Sequence, residues 1–127
     1  CPDVTGAAFA GALTMPVGLL GETNNASGFM PCAPTDQNYQ TIYAALGASS
    51  WAVAWTFTGA DHMDFTDDGG GLAGIACPDG PGDDDMIRGQ MRTLAVAFVR
   101  RHLRGESAMD AWLTGPMLGA GITREGP

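Results

Sequence analysis

Ser50-Trp51-Ala52-Val53-Ala54-Trp55-Thr56-Phe57-Thr58, followed at once by Gly59-Ala60-Asp61-His62, is the stretch that decides the fold. Trp51, Val53, Trp55 and Phe57 alternate strictly with Ala52, Ala54 and Thr56. That period of two, in β-branched and aromatic residues, predicts a strand. Its second face carries only small side chains, which suits close packing under a helix. A histidine then follows on a loop just past the strand's C-terminal end. In open α/β sheets that rim is where ligands bind.

Upstream, Met15-Pro-Val-Gly-Leu-Leu-Gly21 reads as a short buried strand, with a proline near its start and a glycine at its end. A loop rich in Asn, Gly and Pro covers 22–34. Asp36 is placed to cap a helix running to Leu46, with Tyr39, Ile42, Tyr43 and Leu46 on one face and Gly47 in the C′ position. Downstream, 59–85 is too long for a simple connector. Asp83, Asp84 and Asp85 open a helix to Arg104, and Ile87, Met91, Leu94, Phe98 and Leu103 form its apolar stripe. Acids at its start and Arg100, Arg101 and Arg104 at its end both complement the helix dipole, as does His102. Ser107 is read as the cap of a short helix holding Met109, Trp112 and Leu113. The Gly-rich remainder from Gly115 is an edge segment or a loose tail. The order strand, helix, strand, long loop, helix predicts an α/β fold, the last third of a parallel sheet. Two such strands need neighbours, so 1–127 is expected to be the C-terminal portion of one domain, incomplete without a preceding segment.

The formal net charge is −8, and all six cations other than histidine are arginine. Such a chain repels phosphate backbones and anionic lipid surfaces, so nucleic acid and membrane are not expected partners. No apolar run approaches the roughly 20 residues of a membrane span. Of the three cysteines, Cys32 and Cys77 sit in Gly/Pro-rich loops where a disulfide would restrain the chain, and Cys1 is left over. That pattern suits a secreted or extracytoplasmic protein. The cysteines lack the paired spacing of a zinc site, and the acids Asp64, Asp67, Asp68, Asp79, Asp83, Asp84 and Asp85 lack EF-hand spacing. They read as a solvated loop and a helix start, so neither metal nor cofactor is expected.

Asp61-His62-Met63-Asp64-Phe65-Thr66-Asp67-Asp68 resembles the segment around the catalytic histidine of chlorophyllase-like α/β-hydrolases, relatives of the dienelactone hydrolases. Met15-Pro-Val-Gly-Leu-Leu-Gly-Glu22, Pro31-Cys-Ala-Pro34 with Asn38-Tyr39, and Cys77 followed by Met91-Arg92 and Ala97-Phe98 resemble other blocks of that family in the same order. The chain departs from the pattern at Asp61, where glycine is usual, and at Phe65-Thr66. The resemblance implies a serine ester hydrolase that acts on a small-molecule or polymeric ester through a Ser-His-Asp triad. His62 would be its base. For the acid, Glu22 and Asp3 stand open beside a residue outside this chain: Glu22 directly follows a strand, and Asp3 lies in a turn-like Cys1–Gly6 segment. The G-x-S-x-G elbow of such enzymes is absent. Gly47-Ala48-Ser49 begins one, but Trp51 stands where the last glycine belongs. Ser27, Ser49, Ser50 and Ser107 read as loop or cap residues, so the nucleophile is expected on a missing or partner segment that forms the other half of the domain. Two other classes stay open. One is a non-catalytic fragment or binding subunit of hydrolase ancestry. The other is an amidase using Cys1 as an N-terminal nucleophile, which Pro2 disfavours because it removes a backbone donor.

Overall fold

The computed structural model describes residues 6–24, 38–66, 77 and 79–127. In chain order these form helix α1 (Gly6–Ala10), strand β1 (Val17–Glu22), helix α2 (Tyr39–Ala44) and strand β2 (Ala52–Phe57). A 3-10 turn (His62–Phe65), helix α3 (Asp84–Arg104), a second 3-10 turn (Ser107–Met109), helix α4 (Asp110–Leu113) and strand β3 (Ile122–Glu125) follow. The sheet order is β1-β2-β3. β1 runs parallel to β2, with Glu22 opposite Phe57, and β3 runs antiparallel to β2, with Ile122 opposite Phe57. The architecture is α/β, as expected, but the sheet is mixed. β2 also has both neighbours from its own chain, contrary to the expectation that it would lack one. β1 has a strand on one side only among the described residues.

The alternation in β2 places Val53, Trp55 and Phe57 in the main core with Ile87, Leu94 and Ala97 of α3, Leu113 of α4, and Ala60. Trp55 meets Phe98 edge-on, and its indole N–H donates to the Leu113 carbonyl at 2.8 Å. A side chain at Gly18 would meet the Trp55 ring, so glycine there lets β1 lie close. The small face of β2 is covered by α2: the hydroxyls of Tyr39 and Thr56 bond at 2.6 Å, and Gly21 leaves the space that the Tyr39 ring fills.

Several local details differ from the sequence reading. Asn38 caps α2, accepting from the amides of Gln40 and Thr41, while Asp36 lies outside the described residues. The helix closes at Ala45, and Gly47 takes no left-handed conformation. Asp83 caps α3 by accepting from the Met86 amide, and Gly105 ends it at φ 71°. Leu103 is 80 % exposed and is not part of the apolar stripe. The row Ile87, Met91, Leu94, Phe98 advances by three or four, and Leu103 stands about 140° around the helix from Phe98. Arg100 and Arg101 do more than face the dipole: they donate to Glu106 and Asp110, at 2.8 and 2.6 Å. Ser107 caps nothing; it begins the 3-10 turn, and neither that turn nor α4 has a side-chain cap bond.

His102 occupies the stripe position four beyond Phe98. Its ring lies 4.6 Å, centre to centre, from both Trp51 and Phe98, and its Nε2 is buried with no partner among the described residues. Desolvation, helped by the neighbouring Arg101 charge, holds its pKa below the ordinary value. The ring therefore packs as a neutral aromatic, not as a charge complementing the dipole. An unfolded chain takes up this proton more readily, so the contribution is intact above the unfolded value of roughly 6.5 and is lost as pH falls toward the lower folded value. His102→Phe is expected to narrow the drop in melting temperature between pH 7 and pH 5; an unchanged drop would remove His102 from that dependence.

Candidate functional site

The loops leaving β1 and β2 are tied together before the histidine appears. The Gly59 amide donates to the Thr23 hydroxyl at 2.9 Å, and Asn24 donates both its backbone and its side-chain N–H to the Ala60 carbonyl. Gly59 takes φ 87°, which glycine adopts without strain, and turns the chain across the end of β1.

Asp61 then fixes the 3-10 turn. Its carboxylate accepts from the amides of Met63 and Gly80, at 2.7 and 2.6 Å, while its own amide donates to Asp64 at 2.9 Å. This is a reciprocal capping box with Asp in the place usually held by Glu. Asp61 and Asp64 are both buried. The substitution that departs from the family pattern is thus the structural anchor of the turn. The spacing Asp-x-x-Asp was the available signal for it.

The turn holds His62 over the end of β1, with Nδ1 3.9 Å from Oε1 of Glu22. The Glu22 side chain is 10 % exposed and that of His62 is 49 % exposed. The parallel register explains the meeting, since Glu22 lies opposite Phe57 and His62 comes five residues later. With Nδ1 toward the carboxylate, Nε2 is left for a proton partner. Of the two acids considered within this chain, Glu22 is therefore brought to the histidine, while Asp3 lies outside the described residues, as do Cys1, Ser27, Met30, Asp67 and Asp68.

The described serines stand elsewhere. Ser49 donates to the Met15 carbonyl at 2.7 Å and Ser50 to the Thr14 carbonyl through its amide, both at the opposite end of β2. Ser107 follows the far end of α3. Cys77 is disulfide-bonded and has no free thiol; its expected partner Cys32 lies outside the described residues. Met63 lines a polar pocket with Asp61, Asp64, Cys77, Asp79, Asp84 and Arg88. Among the described residues, no group of three or more His, Cys, Asp or Glu side chains is arranged to hold a metal ion, and no helix is long and apolar enough to cross a membrane.

Comparison with known proteins agrees with the motif reading. The family model described as Chlorophyllase matches residues 5–117. Chlorophyllase-1 of Arabidopsis thaliana is 35 % identical over 85 residues, which cover 61 % of this chain and 25 % of that protein. The match thus spans about a quarter of that relative's length. No solved structure matches the chain. With most of its length matched by the family model, this chain belongs to the chlorophyllase family.

Proposed function

We propose that this chain is the histidine-bearing part of a carboxylic ester hydrolase, with His62 as base, Glu22 as the acid that orients it, and a serine nucleophile on a segment outside residues 1–127. The observation that carries this reading is the His62–Glu22 pair at 3.9 Å, set at the C-terminal end of two parallel strands. The separation is longer than a formed hydrogen bond, and catalytic pairs commonly tighten only when substrate is bound. A carboxylate on Nδ1 fixes the tautomer that leaves Nε2 free to accept a proton.

In the proposed reaction, Nε2 takes the serine hydroxyl proton as the oxygen bonds to the ester carbonyl carbon. The carbon–oxygen bond to the alcohol then breaks, and His62 returns the proton to the departing alkoxide. Water, deprotonated by the same nitrogen, releases the acid and restores the serine. No cofactor is required. The substrate is an ester of small-molecule or polymeric type. A Cys32–Cys77 disulfide and an extracytoplasmic location belong to the same proposal; the bonded state of Cys77 supports the first of them.

Two measurements on the full-length polypeptide test the reading. A fluorophosphonate should label one serine outside this chain, found by mass analysis without and then with reduction. Glu22→Gln, which keeps the shape and removes the charge, should lower turnover of a p-nitrophenyl ester by about 10²-fold or more. Unchanged turnover would move the acid to Asp3 or another residue. A folded protein that never labels would be the non-catalytic binding subunit, and the hydrolase reading would fail.

A further inference from the structure

Asp64 is 3 % exposed, and its two carboxyl oxygens differ in their surroundings. Oδ2 accepts from the Asp61 amide at 2.9 Å. Oδ1 is buried and finds no donor among the described residues. A second carboxyl, that of Asp84 in the first turn of α3, lines the same polar pocket as Asp64. Two carboxylates cannot bond each other, because both only accept. One shared proton supplies the missing donor and removes one of two crowded negative charges.

We propose that Asp64 and Asp84 share a proton and so form a clasp that holds the His62 turn against the start of α3. The turn packs on α3, so the clasp joins two elements that already touch. Other groups face it from each neighbouring element: Asp61 within the turn, Arg88 on α3 at 3.8 Å from Asp84, and Asp79 across the polar pocket. Arg88 also reaches Asp85 at 3.3 Å, so its charge is divided. Desolvation, together with the charges of Asp61 and Asp84, raises the Asp64 pKa above the ordinary carboxylate value, against the lowering effect of the Asp61 amide bond. For a carboxyl raised in this way the folded state binds the proton more tightly. Its stabilisation is therefore full at low pH and is lost as pH rises through the folded value, the reverse of an ordinary paired carboxylate. The clasp requires no catalytic activity and stands apart from the ester hydrolase reading.

The test is thermal melting of the full-length polypeptide between about pH 5 and pH 8, comparing wild type with Asp64→Asn and Asp84→Asn. An amide at either position donates permanently, so each variant should gain on wild type as pH rises. At pH 8 each should melt higher by roughly 3 °C or more. Asp84 is half exposed, so its variant folds even should the Asp64 variant fail. The wild-type minus variant difference also cancels the opposite acid-side effect of His102. Differences that stay constant across pH would overturn the proposal. So would a rise in wild-type melting temperature with Ca²⁺ at pH 8 that Asp64→Asn abolishes, because a cation would then hold the pair.

Discussion

Replacing His62 by alanine in the full-length polypeptide is expected to lower ester turnover by about 10³-fold or more, with the fold left intact. Half of the side chain is exposed, and its described ionic contact is Glu22 at 3.9 Å. Deletion at such a position changes stability by no more than about 0.5 kcal/mol. The loss of rate has a different origin. A serine hydroxyl without a base is a weak nucleophile, and what remains is the acceleration supplied by binding and oxyanion stabilisation. In the proposed reaction His62 and Glu22 act as one unit, so His62→Ala with Glu22→Gln should be no slower than His62→Ala alone. Steady-state kcat/KM on a p-nitrophenyl ester, with circular dichroism confirming the fold, decides the matter. A variant within tenfold of wild type would remove His62 from the chemistry.

The second large effect concerns stability. Trp55→Ala should cost about 3–5 kcal/mol, read from urea unfolding. Trp55 is 2 % exposed and central to the main core. Its ring packs edge-on against Phe98 and near Trp51, and it lies close to the backbone of Gly18, so truncation opens a cavity bounded by three elements. The indole N–H also satisfies the buried Leu113 carbonyl, which alanine would leave unpaired at a further cost of about 1–3 kcal/mol. Against a typical total of roughly 5–15 kcal/mol, that combination leaves little or no folded protein. Trp55→Phe separates the two contributions, since it keeps most of the volume and loses only the bond. A cost under about 1 kcal/mol for Trp55→Ala would contradict the packing described.

What was legible in the sequence follows from how local each signal is. The alternation of 50–58 carries its own period, and β2 with its two unlike faces followed from it. The acids before α3 and the arginines at its end report a helix through local electrostatics. The stripe differs from its sequence pattern at one position, because Leu103 is apolar but out of phase, while His102 is in phase but polar. β3 was legible only as an edge or a tail. Four residues, Ile122-Thr-Arg-Glu125, are too few to show a period, and their pairing is supplied by β2 from far away in sequence. Glu22 could be named as a candidate from its place after a strand. Its meeting with His62 depends on the register between β1 and β2, which no local pattern encodes. Asp61 shows in the sequence as a departure from a motif; its part as a cap depends on the 3-10 turn that follows it.

The two rims of the sheet are unlike. β3 is short, carries exposed Thr123, Arg124 and Glu125, and runs into Gly126 and Pro127, features that discourage lateral pairing. β1 is longer and apolar from Val17 to Gly21, with its one charged residue, Glu22, at its end. The open side of the sheet among the described residues is therefore the β1 side, and a strand laid parallel along Val17–Glu22 would end level with the acidic residue under the imidazole.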